Sequence, residues 1–149
     1  MLIKKIFWIN AFCLIFFILD RVLKQIALSE KLKSFLNFNF SLSLNKGIAL
    51  SLPLAEKFLY FLLIIIIFWL SAVILKSYQK KELTNILGLS LILTGTFSNL
   101  FDRILYGAVI DYFLFWEITI FNLADVMILT GGAIILWKTM ILNQPFFKS

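Results

Sequence analysis

The chain has 149 residues, 62% of them hydrophobic and 15% charged, with a mean hydropathy of +0.99; soluble domains are about 45–50% apolar and about 25% charged, so this composition is that of a membrane protein. At roughly 20 residues per crossing it holds four spans and excludes a large transporter or a separate soluble domain. With no His and one Cys it cannot build a Ser-His-Asp triad, a Cys-His dyad, a His-ligated zinc site or an internal disulfide, and its net charge of +6, set beside long apolar runs, points to membrane orientation rather than nucleic acid.

The first apolar run, Ile6–Leu19, reaches spanning length by continuing through Asp20, Arg21 and Lys24, which gives a helix over about 6–28. Lys4 and Lys5 precede it as they would in a signal peptide, but no small-residue cleavage site follows, and Phe12 before Cys13 spoils a lipid-attachment box. It reads as a retained helix. Asp20 and Lys24, at i and i+4, suit a local ion pair, and Arg21 is expected to snorkel to the interface.

Between the first and second helices, Leu36-Asn37-Phe38-Asn39-Phe40-Ser41-Leu42-Ser43-Leu44-Asn45 alternates apolar and polar without a break, a strand signal within a β segment of about 35–52. Lys46-Gly47 supplies a turn, and Asn45 beside it either shapes that turn or grips a substrate chain. A second helix over about 54–75 contains Phe58–Leu75, and a third over about 84–106 contains Thr84–Phe101. Near the end of the third, Asn99, Asp102 and Arg103 share one face. They are either a local Asp102–Arg103 network tied down by Asn99, or donors to a substrate backbone or lipid head group. A fourth helix, over about 120–142, is interrupted only by Asp125.

With both termini cytoplasmic, each side carries seven Lys and Arg, a tie by count. Placement breaks it, because Lys4, Lys5 and the tight 76–82 connection flank helices directly while Gly107–Thr119 has no basic residue. Seven of the eight acids then gather at or beyond the extracytoplasmic face. Acids in or near hydrocarbon are costly and default to functional candidates.

Asp111, in the connection after the third helix, and Asp125, opening the fourth, are placed for an antiparallel return that brings two carboxylates together. Such a pair shares a proton and can work as acid and base on water and a carbonyl without a metal. The plainer alternatives are a solvated Asp111 and an Asn122 N-cap with Asp125 in the first turn, and spacing alone favours capping.

The polar blocks, taken in order, are Asp20-Arg21-Val22-Leu23-Lys24, Asn45-Lys46-Gly47-Ile48-Ala49-Leu50, Ser98-Asn99-Leu100-Phe101-Asp102-Arg103 with Val109-Ile110-Asp111-Tyr112-Phe113, and Phe121-Asn122-Leu123-Ala124-Asp125. In that order on four spans the chain resembles lipoprotein signal peptidase, or signal peptidase II, a bacterial inner-membrane aspartic peptidase family. The resemblance implies an all-α membrane protein of four transmembrane helices with a small extracytoplasmic β segment. It also implies Asp111 and Asp125 as catalytic residues, a substrate site lined by Asn45, Asn99, Arg103 and Asn122, and structural support from Asp20, Lys24, Asp102 and Gly47.

The implied substrate is a diacylglyceryl-modified prolipoprotein met among membrane lipids and cut before its lipidated Cys. No cofactor or metal, no nucleic acid and a monomer are expected. The chain departs from the family pattern at Arg21, Leu23, Leu50 and Ser98, where Gln, Thr, Phe and Gly are usual. Ser98 is expected to tighten backbone approach in the third helix. Two competitors remain: Ser-Lys chemistry on Lys24, which lacks an obvious serine partner, and a small transporter or channel subunit, which predicts acids spread through the membrane depth.

Overall fold

The computed structural model describes residues 1–29, 40–47, 56–116 and 118–141. Four long helices alternate with a small sheet: α1 (Leu2–Leu28), β1 (Phe40–Asn45), α2 (Glu56–Gln79), α3 (Leu83–Tyr106), β2 (Val109–Phe115), β3 (Thr119–Phe121) and α4 (Leu123–Leu136), the last extended by a π-helical turn, Trp137–Ile141. All four helices are long and apolar enough to cross a membrane. Of the expected β segment, residues 35–39 and 48–52 lie outside the described residues, as do 54–55 and 142 at the expected helix ends.

α3 is the central column. It buries 56% of its spanning window against 6% for α1, 17% for α2 and 22% for α4. That explains why it is the least hydropathic of the four, since inward-facing Asn85, Ser90, Thr96, Ser98, Asp102 and Arg103 meet protein rather than lipid. Glycine sets its approach to α4, where a Cβ added to Gly95 would lie 2.5 Å from the Ala124 carbonyl oxygen, so the first turn of α4 can lie flat on α3 only because that atom is missing. α3 ends on Gly107 in the left-handed conformation (φ 70), whose N–H closes onto the Arg103 carbonyl.

Three antiparallel strands in the order β1-β2-β3 form the sheet, with Ser43 opposite Asp111, Asn45 opposite Val109 and Phe113 opposite Phe121. β1 is the strand that alternation predicts, whereas β2 and β3 occupy a connection read from sequence as a loop. Val109-Ile110-Asp111-Tyr112-Phe113 shows no alternation because four consecutive residues, Val109 to Tyr112, are buried on both faces. Ile110 and Tyr112 pack with Ala27 of α1, so the period of two turns Asp111 to the opposite face, beside β1. Because β3 takes Thr119–Phe121, α4 begins at Leu123 rather than near 120.

At the far end of the bundle the π-helical turn carries Lys138, whose Nζ lies 3.2 Å from Glu82 and 2.8 Å from Asn85 Oδ1. This buried cluster joins the α2–α3 connection to the end of α4. A largely apolar groove of about 580 Å³ lies between α1, α2 and α3, lined by Cys13, Phe17, Ile74, Thr94 and Phe97 among others. Helical geometry puts it on the side of α3 away from Asn99.

Candidate active site

Asn122 is the hinge of the site. It is the N-cap of α4, its side-chain oxygen accepting from the Asp125 N–H at 2.9 Å while Asp125 Oδ2 accepts from the Asn122 N–H at 3.2 Å. The capping arrangement expected from spacing is therefore present, yet it leaves the Asn122 amide free to turn to the sheet. There Nδ2 donates to Asp111 Oδ1 at 2.6 Å. One fully buried asparagine thus ties the carboxylate of β2 to the carboxylate of α4.

Each acid has a further amide donor. Asn45, at the end of β1, donates to Asp111 Oδ2 at 3.2 Å, and Asn99 of α3 donates to Asp125 Oδ1 at 2.8 Å. Asp111 is only 3% exposed. Burial, followed by the charge of Asp125, pushes its carboxyl up to about 6, against the opposing pull of the Asn45 and Asn122 amides and of Lys24. A carboxyl with that affinity can hold or release a proton near neutrality, as a hydrolytic acid/base group must.

Arg103 shapes the edge of the site. Its guanidinium donates to the Gly47 carbonyl at 2.5 Å and the Asn45 carbonyl at 3.5 Å, and its own carbonyl accepts from the Tyr60 hydroxyl of α2 at 2.7 Å. Asn45 Oδ1 accepts from the Gly47 N–H at 3.0 Å, the side-chain-closed turn expected there. These bonds fix the end of β1 and hence the amide that holds Asp111.

Behind the acids lies a buried ionic cluster. Lys24 Nζ sits 2.9 Å from Asp20 and 2.7 Å from Asp102, and donates to Asn99 Oδ1 at 2.9 Å. The expected Asp20–Lys24 pair is present. Asp102 pairs with Lys24 and with Arg21, 2.5 Å away, rather than forming the local network with Arg103. Arg21 does not snorkel; its inward guanidinium also donates to the Ser98 carbonyl and hydroxyl at 3.0 and 3.1 Å.

Ser98 donates to Asp20 Oδ2 at 2.6 Å, so two departures from the family pattern, Arg21 and Ser98, meet in space, while Leu50 lies outside the described residues. Tyr112, whose role no spacing in the sequence reveals, is fully buried, its hydroxyl donating to Asp20 Oδ1 at 3.3 Å and accepting from the Leu123 N–H at 3.1 Å. Burial and the Asp20 charge keep that phenol protonated. A buried polar tip on a strand was the available signal.

An apolar four-helix body with paired carboxylates under a small sheet defines an integral membrane enzyme, and its likeness to known proteins gives the class. The chain matches the family described as Signal peptidase (SPase) II over residues 12–141. The lipoprotein signal peptidase of Wigglesworthia glossinidia brevipalpis is 34% identical over 139 residues, covering 89% of this chain and 91% of that protein. The lipoprotein signal peptidase of Buchnera aphidicola subsp. Schizaphis graminum is 36% identical over 150 residues, covering 91% and 96%.

In fold the chain also resembles a bacterial membrane enzyme solved by the in meso method at 2.3 Å resolution, with a TM-score of 0.72 at 22% identity over 99% of this chain and 95% of that one. The chain belongs to the signal peptidase II family, membrane aspartic peptidases that act as lipoprotein signal peptidases.

Proposed function

We propose that the chain hydrolyses the peptide bond before the lipidated Cys of diacylglyceryl-modified prolipoproteins, with Asp111 and Asp125 as the catalytic pair. The observation that carries the proposal is the Asn122 bridge, which holds two carboxylates from different elements together at one end of the bundle. Two such groups share one proton. The ionised carboxylate takes a proton from water, the water oxygen attacks the scissile carbonyl carbon, and the protonated carboxyl hydrogen-bonds the carbonyl oxygen as charge develops on it. Proton return to the amide nitrogen then lets the C–N bond break, freeing the signal peptide and restoring the shared proton.

Both termini are cytoplasmic in this proposal, so the pair works at the extracytoplasmic boundary, where a substrate with two acyl chains and an apolar signal helix already resides. Asn99 and Asn122 orient the carboxylates, and Asn45 with Arg103 forms the polar wall against which the substrate backbone lies. Asp20, Lys24, Asp102 and Gly47 support that geometry. The test is incubation of the purified protein in lipid nanodiscs with a lipidated precursor and with the same precursor unlipidated. Cleavage of the lipidated form alone, lost in both Asp111→Asn and Asp125→Asn while the fold is retained, is the expected result. Undiminished cleavage by either variant would overturn it.

A further inference from the structure

The ionic cluster behind Asp125 contains more charge than a helix staple needs. Asp20, Lys24 and Asp102 are all fully buried. One lysine set against two carboxylates would leave an unbalanced anion inside the bundle, and an uncompensated buried charge is strongly unfavourable. Arg21 completes the balance. It reaches Asp102 at 2.5 Å, is anchored by the Ser98 carbonyl and hydroxyl, and lies over the Phe101 ring at 5.1 Å.

Because Arg21 occupies Asp102 Oδ1, Lys24 shares only Oδ2 of that carboxylate and stays within reach of Asp20 and of Asn99 Oδ1. Lys24 therefore fixes which end of the Asn99 amide faces the acids, so that Nδ2 points to Asp125.

We propose that Arg21 is a positioning residue of the hydrolytic reaction: by neutralising Asp102 it keeps Lys24 on Asn99, and so sets both the orientation of Asp125 and the potential at the Asp111–Asp125 pair. The proposal rests on the catalytic reading of that pair. The pair is faced by Asp20 and Lys24 from α1, Arg103 from α3 and Tyr112 from β2, with Asp102 of α3 behind Lys24 and Tyr60 of α2 bonded to the Arg103 carbonyl. Arg21 is the cation that holds Asp102 Oδ1, while Lys24 is shared among Asp102 Oδ2, Asp20 and Asn99. Without its charge an anion is left behind the pair, protons are held more tightly, and the active, singly protonated form moves to higher pH.

The test is the pH profile of cleavage of a lipidated precursor by wild type, Arg21→Gln, Arg21→Lys and the double variant Arg21→Gln with Asp102→Asn. Arg21→Gln is expected to move both limbs of the profile to higher pH by on the order of half a unit, with kcat at the acidic limb falling several-fold and KM changing little. Arg21→Lys is expected to return the limbs to their wild-type positions even where its kcat stays low, because it restores charge without the planar fork. The double variant, electrically balanced again, should also recover wild-type limbs, and it supplies the decisive profile if Arg21→Gln does not fold.

An Arg21→Gln profile that superimposes on wild type, or a double variant whose limbs stay displaced, overturns the proposal and leaves Arg21 a helix tie. Failure of the underlying catalytic reading shows separately, as cleavage by Asp111→Asn at the wild-type rate.

Discussion

The two ends of the bundle both bury ionic clusters, and they are built to different accounts. At one end Lys138 meets Glu82 and Asn85, and these contacts clip α4 to the α2–α3 connection. At the other, four carboxylates (Asp20, Asp102, Asp111 and Asp125) meet three cations (Arg21, Lys24 and Arg103). Among these described residues the carboxylates outnumber the cations by one, a difference that one shared proton makes up in the proposed reaction. A cation set on a carboxylate holds helices together, whereas neighbouring carboxylates in excess of their cations can hold a proton and give it away, which is what the proposed hydrolysis requires.

The sharpest way to break this comparison is to remove an acid from the unbalanced end. Asp111→Asn and Asp125→Asn are each expected to lower the cleavage rate of a lipidated precursor by at least about 10³-fold, within the range a general acid/base contributes; residual activity within tenfold of wild type would erase the distinction between the ends. Next in size is Lys24→Met, which takes the cation from buried Asp20 and one of the two cations from Asp102, and should destabilise the protein by about 3–5 kcal/mol in thermal unfolding, with loss of activity. Lys138→Met removes the cation that Glu82 faces at the opposite end. It should lower the melting temperature as well, yet leave the pH profile of cleavage in the folded fraction unmoved, and a displaced profile would show that the far cluster reaches the site.

A smaller effect has a definite sign. The folded-state pKa of Asp111 lies above its ordinary value of 3.8, at about 6, so the folded state binds the proton more tightly than the unfolded state. Stability from that source is full at acidic pH and is lost as pH rises toward and through about 6. Asp111→Asn, which cannot ionise, should therefore raise thermal stability at pH 7.5 by on the order of 1 kcal/mol, with the gain fading below pH 4. Smallest is Gly107→Ala, which places a Cβ at φ 70 and should cost about 1 kcal/mol with the pH profile unchanged.

Much of this architecture is legible in the residues, for reasons that also mark where legibility stops. Four spans follow from apolar length, β1 from alternation, and the Asn122–Asp125 cap from spacing, since each depends on local chemistry. β2 is hidden because Asp111 sits among residues buried on both faces, where a strand has no period to show. Arg21 is misjudged as a snorkelling side chain because its partner Asp102 stands 81 residues away, and nothing local signals that the guanidinium turns inward. The pairing of Asp111 with Asp125 is suggested by their placement and by the family resemblance. The Asn122 amide that joins them is invisible to spacing, since the same residue already satisfies the cap.

The most direct test of the shared proton is the dependence of kcat/KM on pH for wild type beside Asp111→Asn and Asp125→Asn in the same lipid. The expected wild-type profile is a bell whose two limbs report successive loss of two protons from the coupled pair, with no measurable profile for either variant. A wild-type profile with a single limb, or a bell that persists after either aspartate is replaced, would contradict the account.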